Sequence, residues 1–257
     1  MKVTLLSIKD RVLGSIEAWL LERGYSSLWR EPLVGAVDAR DARLLELKKA
    51  VAPDHALPPD LLPSARSVVV YFLPFVEDVA KDNGKFHPFA SRLWAFAYVE
   101  TNALIARINQ DLASFLGDQG YETAVTPATH NFDSRRLVSR WSHKHLAYYA
   151  GLGTFGLNHL LITASGCCGR FGSLVTSAPV ETSAKPQEEF CLSKRGLPCE
   201  ACLKRCPVGA LSVNGLNRSL CYQRLLENNE RFSDLPLTDV CGQCSCNVPC
   251  SFSIPRN

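Results

Sequence analysis

Nine cysteines crowd residues 191–250, two more stand side by side at Cys167 and Cys168, and residues 1–166 hold none. Crowding of this kind, in a chain whose first helix-like stretch is broken by Lys9, Asp10, Arg11 and Glu17 rather than shaped as a signal-peptide core, reads as metal or redox chemistry, not a disulfide framework. The run CEACLKRCP spaces Cys199, Cys202 and Cys206 as C-x2-C-x3-C, with Pro207 behind. It matches the latter part of the C-x2-C-x2-C-x3-C-P run that holds iron–sulfur clusters, whose fourth cysteine ligates the other cluster of a pair. A tight loop aims closely spaced thiolates at one cubane, while the cysteine before proline turns toward its neighbour. The run's first cysteine is replaced by Gly196, and Cys191 stands further upstream, across the LSKRGLP loop. Crossed ligation then assigns Cys191, Cys199, Cys202 and Cys250 to one 4Fe–4S cluster. Cys206, Cys221, Cys241 and Cys244 take the other, and Cys246 is left spare. Structural zinc competes, because Cys241-x2-Cys244 alone suits a zinc knuckle, but the C-x3-C-P tail and the further cysteines favour iron–sulfur.

A second stretch, YYAGLGTFGLN at 148–158, spells G-x-G-x-x-G with Gly151, Gly153 and Gly156. A dinucleotide fingerprint must follow a strand, open a helix and be followed about twenty residues on by an acidic residue. Here a helical pattern precedes Gly151, a strand pattern follows Leu157, and residues 176–180 contain no acid. The dinucleotide reading fails, and the glycines need another role.

The elements that must position these residues read as follows. Residues 4–22 have helical periodicity and stop at Gly24; 38–51 forms a shorter helix ending before Pro53. SVVVYFLPF (67–75) is a strand apolar on both faces, and 91–117 is the longest helix. YETAVTP (121–127) is a short strand and 135–150 is helical. Residues 159–165 and 169–177 pair as a hairpin through Gly166-Cys167-Cys168-Gly169. The Pro- and Glu-bearing segment 178–190 marks a boundary near 180. The expected fold class is α+β. An N-terminal α/β sandwich-like cofactor domain (1–180), with a sheet flanked by helices, precedes a bacterial two-cluster ferredoxin-like module (181–257) that wraps back onto it.

A net charge of +3 argues against nucleic acid or an anionic membrane surface as the partner. No run of about eighteen apolar residues occurs, so no membrane span is expected and the cytoplasm is the expected location.

From SARSVVVYFLPF through FDS, AGLGTFGLNHLLIT and GRFGSLVTS into the cysteine module, the chain resembles the iron–sulfur cobalamin reductases typified by epoxyqueuosine reductase. Corrinoid reductive dehalogenases are more distant relatives of that family. The resemblance implies a base-off cobalamin, with Gly151, Leu152, Gly153 and Gly156 lining its pocket. It also implies a proton-donating aspartate, to which Asp133 corresponds. Three departures stand against it. The DS-x-P stretch continues here as Arg135, Arg136 and Leu137, no D-x-H-x-x-G motif occurs, and the chain ends at Asn257 without a helical-repeat extension. The chain therefore reads as a short form whose substrate need not be tRNA.

His143 and His145, in the SHKH stretch, are further proton-donor candidates. Two residues apart on a helix they point about 200° apart, so they do not share one metal. The bland alternatives are an N-cap for Asp133 and a hydrogen-bonded or solvated place for each histidine. Arg135, Arg136 and Arg140 suit an anion or a solvated helix face. Cys167 and Cys168 suit a redox pair or small turn fillers.

The leading expectation is a reductase fed by an external ferredoxin- or flavodoxin-type donor. Its two clusters pass electrons to cobalamin, which acts on a small or nucleoside-like molecule or a corrinoid-linked substrate. The rival expectation is a non-catalytic electron-transfer protein, with Lys194, Arg195, Lys204 and Arg205 meeting an acidic partner. A zinc-stapled nucleic-acid binder is a third, disfavoured by the charge.

Overall fold

The computed structural model describes residues 3–129 and 132–256. In chain order its elements begin with α1 (Leu5–Arg23), β1 (Leu33–Asp38), α2 (Leu47–Ala50, entered through a 3-10 turn at Ala42–Glu46), α3 (Pro58–Leu61), β2 (Ser67–Pro74), α4 (Glu77–Lys85), α5 (Arg92–Gly117) and β3 (Thr123–Val125). There follow β4 (Phe132–Asp133), β5 (Val138–Ser139), α6 (His143–Tyr149), β6 (Gly153–Phe155), β7 (Leu161–Thr163), β8 (Gly169–Thr176), α7 (Ala201–Lys204), β9 (Leu211–Ser212), β10 (Gly215–Leu216) and α8 (Arg218–Arg231).

The central sheet runs β1-β2-β8-β3, antiparallel throughout, and β2 is buried at every residue. Alternation along β2 explains this. Val69, Tyr71 and Leu73 enter one core with Ile8 and Val12 of α1 and Leu104, Ile105 and Ile108 of α5. Val68 and Val70 enter the other, with Leu44, Leu47, Trp141, Leu146 and Ala147. Helices therefore cover both faces. The α1 helix opens on a capping box between Thr4 and Ser7 and closes on Gly24 at φ 71°, and α5 starts at the Ser91 cap. Among the described residues no helix is long and apolar enough to cross a membrane.

Residues 178–190 form no helix or strand. They run back along the sheet, Ser183 exchanging hydrogen bonds with Ala36 and Val180 N–H donating to Ser67. The cysteine-rich part then folds onto the body: Phe232, Val240 and Cys246 join the first core, and Gln243 donates to the carbonyls of Asn83 and Phe89.

Three local expectations are corrected. Residues 135–141 are not helical, because the Asp133 carboxylate accepts the N–H groups of Arg135 and Arg136. Leu137 turns at φ 54°, closing a β4–β5 hairpin. Strand β7 pairs with β6, not with β8, whose hydrogen-bonding edges are taken by β2 and β3. Most of 38–51 is turn and 3-10 structure rather than one α-helix.

Candidate metal centre

The loop 196–206 turns sharply at Gly196 (φ 81°) into the single helical turn of α7, which carries Cys202 inward and leaves Cys206 just beyond it. The Cys206 sulfur accepts the Ala210 N–H at 3.2 Å. Cys221 lies in the first turn of α8, fixed by the Asn217 cap. Cys241 and Cys244 flank a turn in which Gly242 (φ 68°) packs against the Trp94 ring; a Cβ there would stand 2.3 Å from it.

These elements sort the cysteines into two cavities. Cys191, Cys199, Cys202 and Cys250 line a narrow one with Leu157, Ile162 and Val248. Cys206, Cys221, Cys241 and Cys244 line a wider one of about 300 Å³, which Cys167 also borders. The two sets interleave along the chain. Burial, together with Cys250, Cys191 and Cys199, pushes the Cys202 thiol up to about 11. Burial, then Cys221 and Cys206, likewise pushes Cys241 up to about 11, and Cys244 is raised well above an ordinary thiol for the same causes. Each set is a group of soft sulfur donors that repel one another as thiolates, and a bound cation relieves that repulsion. Among the described residues no three His, Cys, Asp or Glu side chains converge as they do on a single ion.

Asn158 lines both cavities. Its amide donates to the Cys244 carbonyl at 3.2 Å and approaches the Cys167 sulfur at 3.8 Å, while its Oδ1 accepts Leu160 N–H. The glycine segment holds it there. A Cβ on Gly156 would stand 2.7 Å from Asn158 Oδ1, one on Gly153 2.0 Å from the Ile162 carbonyl, and one on Gly151 2.2 Å from that of Ala184. The close approaches at these glycines are thus to the chain itself, and Leu152 packs into the second core.

The wider cavity forms a chamber also lined by Phe75, Trp94, Tyr98, Arg170, Leu216 and Asp239. Tyr98 donates to Asp239 at 2.7 Å, and the Arg170 guanidinium lies 4.2 Å over the Tyr98 ring. The Arg170 Nε is buried with no hydrogen-bond acceptor. Burial raises Tyr98 and lowers Arg170.

Of the residues singled out from sequence as proton donors, Asp133 sits half-exposed on the β4–β5 hairpin. It is ion-paired with Arg136 at 3.0 Å and lowered first by Arg136, and it lines neither cavity. The hairpin touches α8 through Phe132 and Tyr222, whose ring centroids are 5.8 Å apart. His143 is buried, with Ser173 Oγ at 2.8 Å and the Pro127 carbonyl at 3.1 Å; burial pushes it down to about 4. His145 bonds Ser142 at 2.7 Å and lies against Phe155, and burial pushes it down to about 3. The structure does not bring these three together. Lys144, Asn158 and His159, which reach the second cavity together with Arg170, Arg224 and Asp239, escaped the sequence reading. Lys144 donates to the His159 carbonyl at 2.9 Å, and burial pushes it down to about 8. The signal for them was position: each adjoins a residue or segment already singled out.

No protein-family model and no curated protein matches the sequence. Solved structures do. An epoxyqueuosine reductase superposes with TM-score 0.56 and 17% identity, over 96% of this chain and 66% of that one. The enzyme from Bacillus subtilis gives 0.57 and 15%, over 98% and 68%. A catabolic reductive dehalogenase in complex with 3-bromo-4-hydroxybenzoic acid gives 0.62 and 14%, over 87% and 30%. Another, described with a mechanism for B12-dependent dehalogenation, gives 0.51 and 15%, over 70% and 23%. The chain thus spans about two thirds of the reductases' length and under a third of the dehalogenases'. At these identities the likeness is one of architecture: this chain has the fold shared by epoxyqueuosine reductases and reductive dehalogenases.

Proposed function

We propose that the protein is an iron–sulfur oxidoreductase with one 4Fe–4S cluster on Cys191, Cys199, Cys202 and Cys250 and another on Cys206, Cys221, Cys241 and Cys244, reducing a small acceptor in the chamber beside the second set. The observation that carries the reading is the sorting of these eight cysteines into two interleaved cavities, four to each, with Cys167 a fifth thiol bordering the wider one and no oxygen or nitrogen donor needed. When bound, the clusters supply one-electron transfer between an outside donor and the chamber.

The chain's own residues do the rest. Arg170 offers a buried cation whose Nε has no acceptor, which suits an anionic group such as a carboxylate. The Tyr98 hydroxyl, held on Asp239, is a proton source in the chamber. Asn158 keeps the two sets in register. Exposed Lys194 and Lys204 are free to meet an acidic ferredoxin- or flavodoxin-type donor, whereas Arg195 and Arg205 are spent on the Pro255 and Gln243 carbonyls.

Cobalamin, which the likeness to dehalogenases brings forward, finds no enclosed seat among the described residues. The chamber and the second cysteine set share about 300 Å³, the low end for small-ligand pockets, and the tightest approaches of the glycines are to the chain itself, although Gly151 also borders an open surface pocket of about 460 Å³. No corrinoid enters the proposed route. The test is iron content after Cys202→Ser and after Cys221→Ser. Each is expected to remove about half of the iron, and only the iron of its own set. Loss of all iron in both, or of none, contradicts the two-site reading.

A further inference from the structure

Cys167 belongs to neither set of four, yet it stands between them. It borders the wider cavity, while its sulfur lies 3.9 Å from that of Cys250, which lines the narrow one, and it packs in one cluster with Cys191, Cys250 and Ile162. The other two spare thiols face the core: Cys168 donates to the Ser245 carbonyl at 3.0 Å, and the Cys246 sulfur accepts from Asn83 at 3.3 Å.

The backbone fixes the meeting of the two sulfurs. Cys167 N–H donates to the Cys250 carbonyl at 3.0 Å, and Cys168 N–H to that of Ser251 at 3.2 Å. Gly166, at φ 78°, permits the approach, since a Cβ there would lie 2.3 Å from the Ser251 carbonyl oxygen. Asn158 holds Cys167 from another side: its amide donates to the Cys244 carbonyl at 3.2 Å and to the Cys167 sulfur at 3.8 Å. With that donor on the sulfur, the one hydrogen of the thiol is left for Cys250. A cysteine bound to iron is a thiolate and only accepts, so between these two sulfurs the donor is Cys167. A small apolar filler needs neither contact.

We infer that Cys167 is a positioning residue of the first site, whose S–H donates to the Cys250 thiolate and raises the reduction potential of the cluster that thiolate holds. The inference rests on the two-cluster reading. Reduction adds one negative charge to a cluster and its thiolates, and a hydrogen-bond donor on a ligating sulfur stabilises the more negative state. Cys167 touches no iron in this role. Its proton stays on its own sulfur, no bond to the metal forms or breaks, and its effect passes through Cys250 alone. The first site is thereby easier to reduce than the same four thiols would be without the donor.

The test uses the full chain reconstituted anaerobically with iron and sulfide, as wild type, Cys167→Ala and Cys167→Ser. Each is also made in the Cys221→Ser background, where the first site alone is expected to keep its iron. Iron per chain and the midpoint potentials, from a dithionite titration followed by electron paramagnetic resonance, are the readouts. Cys167→Ala is expected to keep about eight irons and to make the first cluster about tenfold harder to reduce, a midpoint about 59 mV lower, with the second cluster unchanged. Cys167→Ser, which keeps a hydroxyl donor, should recover most of that shift. An unchanged midpoint, an equal shift in the alanine and serine variants, or movement of both clusters overturns the inference. Loss of iron in Cys167→Ala overturns it too, by making Cys167 a ligand. Should circular dichroism report Cys167→Ala as unfolded, Cys167→Val, which fills the site without a donor, decides on the same midpoint. A wild type without about eight irons overturns the cluster reading instead, so the two failures are distinct.

Discussion

Removing His143 should change how stability depends on pH rather than how electrons move. Its two ring nitrogens are both spoken for. Trp141 Nε1–H donates to Ser173 Oγ, and with the ring proton on Nε2 the Ser173 hydroxyl donates to His143 Nδ1. The Nε2–H of the ring then donates to the Pro127 carbonyl. The neutral ring satisfies this chain, and a second proton would place an uncompensated charge in a buried site. Burial accordingly pushes His143 from 6.5 down to about 4. The unfolded chain binds the proton more readily, so the stability contributed is full above pH 6.5 and is lost as pH falls toward about 4. At 1.36 kcal/mol per unit, the part lost between about pH 7.5 and about pH 5.5 is about 1.4 kcal/mol. Urea unfolding followed by circular dichroism at the two pH values, for wild type and His143→Gln, measures it. The variant, weakened by about 1–3 kcal/mol through its lost hydrogen bond, should show a pH-dependent loss smaller than wild type's by that 1.4. An unchanged pH dependence, with reductase activity lost at unchanged stability, would refute the structural reading and restore His143 as a proton donor.

Further outcomes follow from the same geometry. Gly153→Ala should destabilise the protein by at least about 3 kcal/mol, because its Cβ meets a backbone carbonyl 2.0 Å away in a two-stranded pairing; an unchanged melting temperature contradicts it. Cys246→Ser should leave the iron content intact, since its sulfur faces Asn83 and not either cavity; loss of half the iron would make it a ligand. Arg170→Leu should weaken oxidation of the reduced protein by small carboxylate-bearing acceptors by about ten- to a hundredfold, with iron unchanged. Equal rates in both proteins would favour electron transfer without a substrate site.

The parts of the fold legible in the sequence are those where one physical signal dominates. Strand β2 reads as buried on both faces because VVVYFL has no polar residue, and α1 and α5 read from apolar spacing with Gly24 and Ser91 at their ends. Strand β1 is hidden because LVGAVD is short and holds Gly35, whose Cβ would strike the Ala150 carbonyl at 2.7 Å; its pairing with β2 makes it a strand. The helical pattern of 135–141 loses to a local competitor, the Asp133 carboxylate, which takes two backbone N–H groups that a helix needs. The spacing of Cys199, Cys202 and Cys206 points to the candidate metal centre. The distance from Cys167 to Cys250, by contrast, spans 83 residues and depends on Gly166, so no local pattern announces it. The glycine segment was legible as a place of close approach. What it approaches, Ala184, Ile162 and Asn158, depends on the tertiary path of the chain.

The most direct test of the central claim is the content of iron, acid-labile sulfide, zinc and cobalt per chain, measured on anaerobically prepared protein. About eight irons and about eight sulfides are expected, with neither zinc nor cobalt in stoichiometric amount. Zinc in place of iron would contradict it outright, and one cobalt alongside about eight irons would return cobalamin to the chamber from which the route above leaves it out.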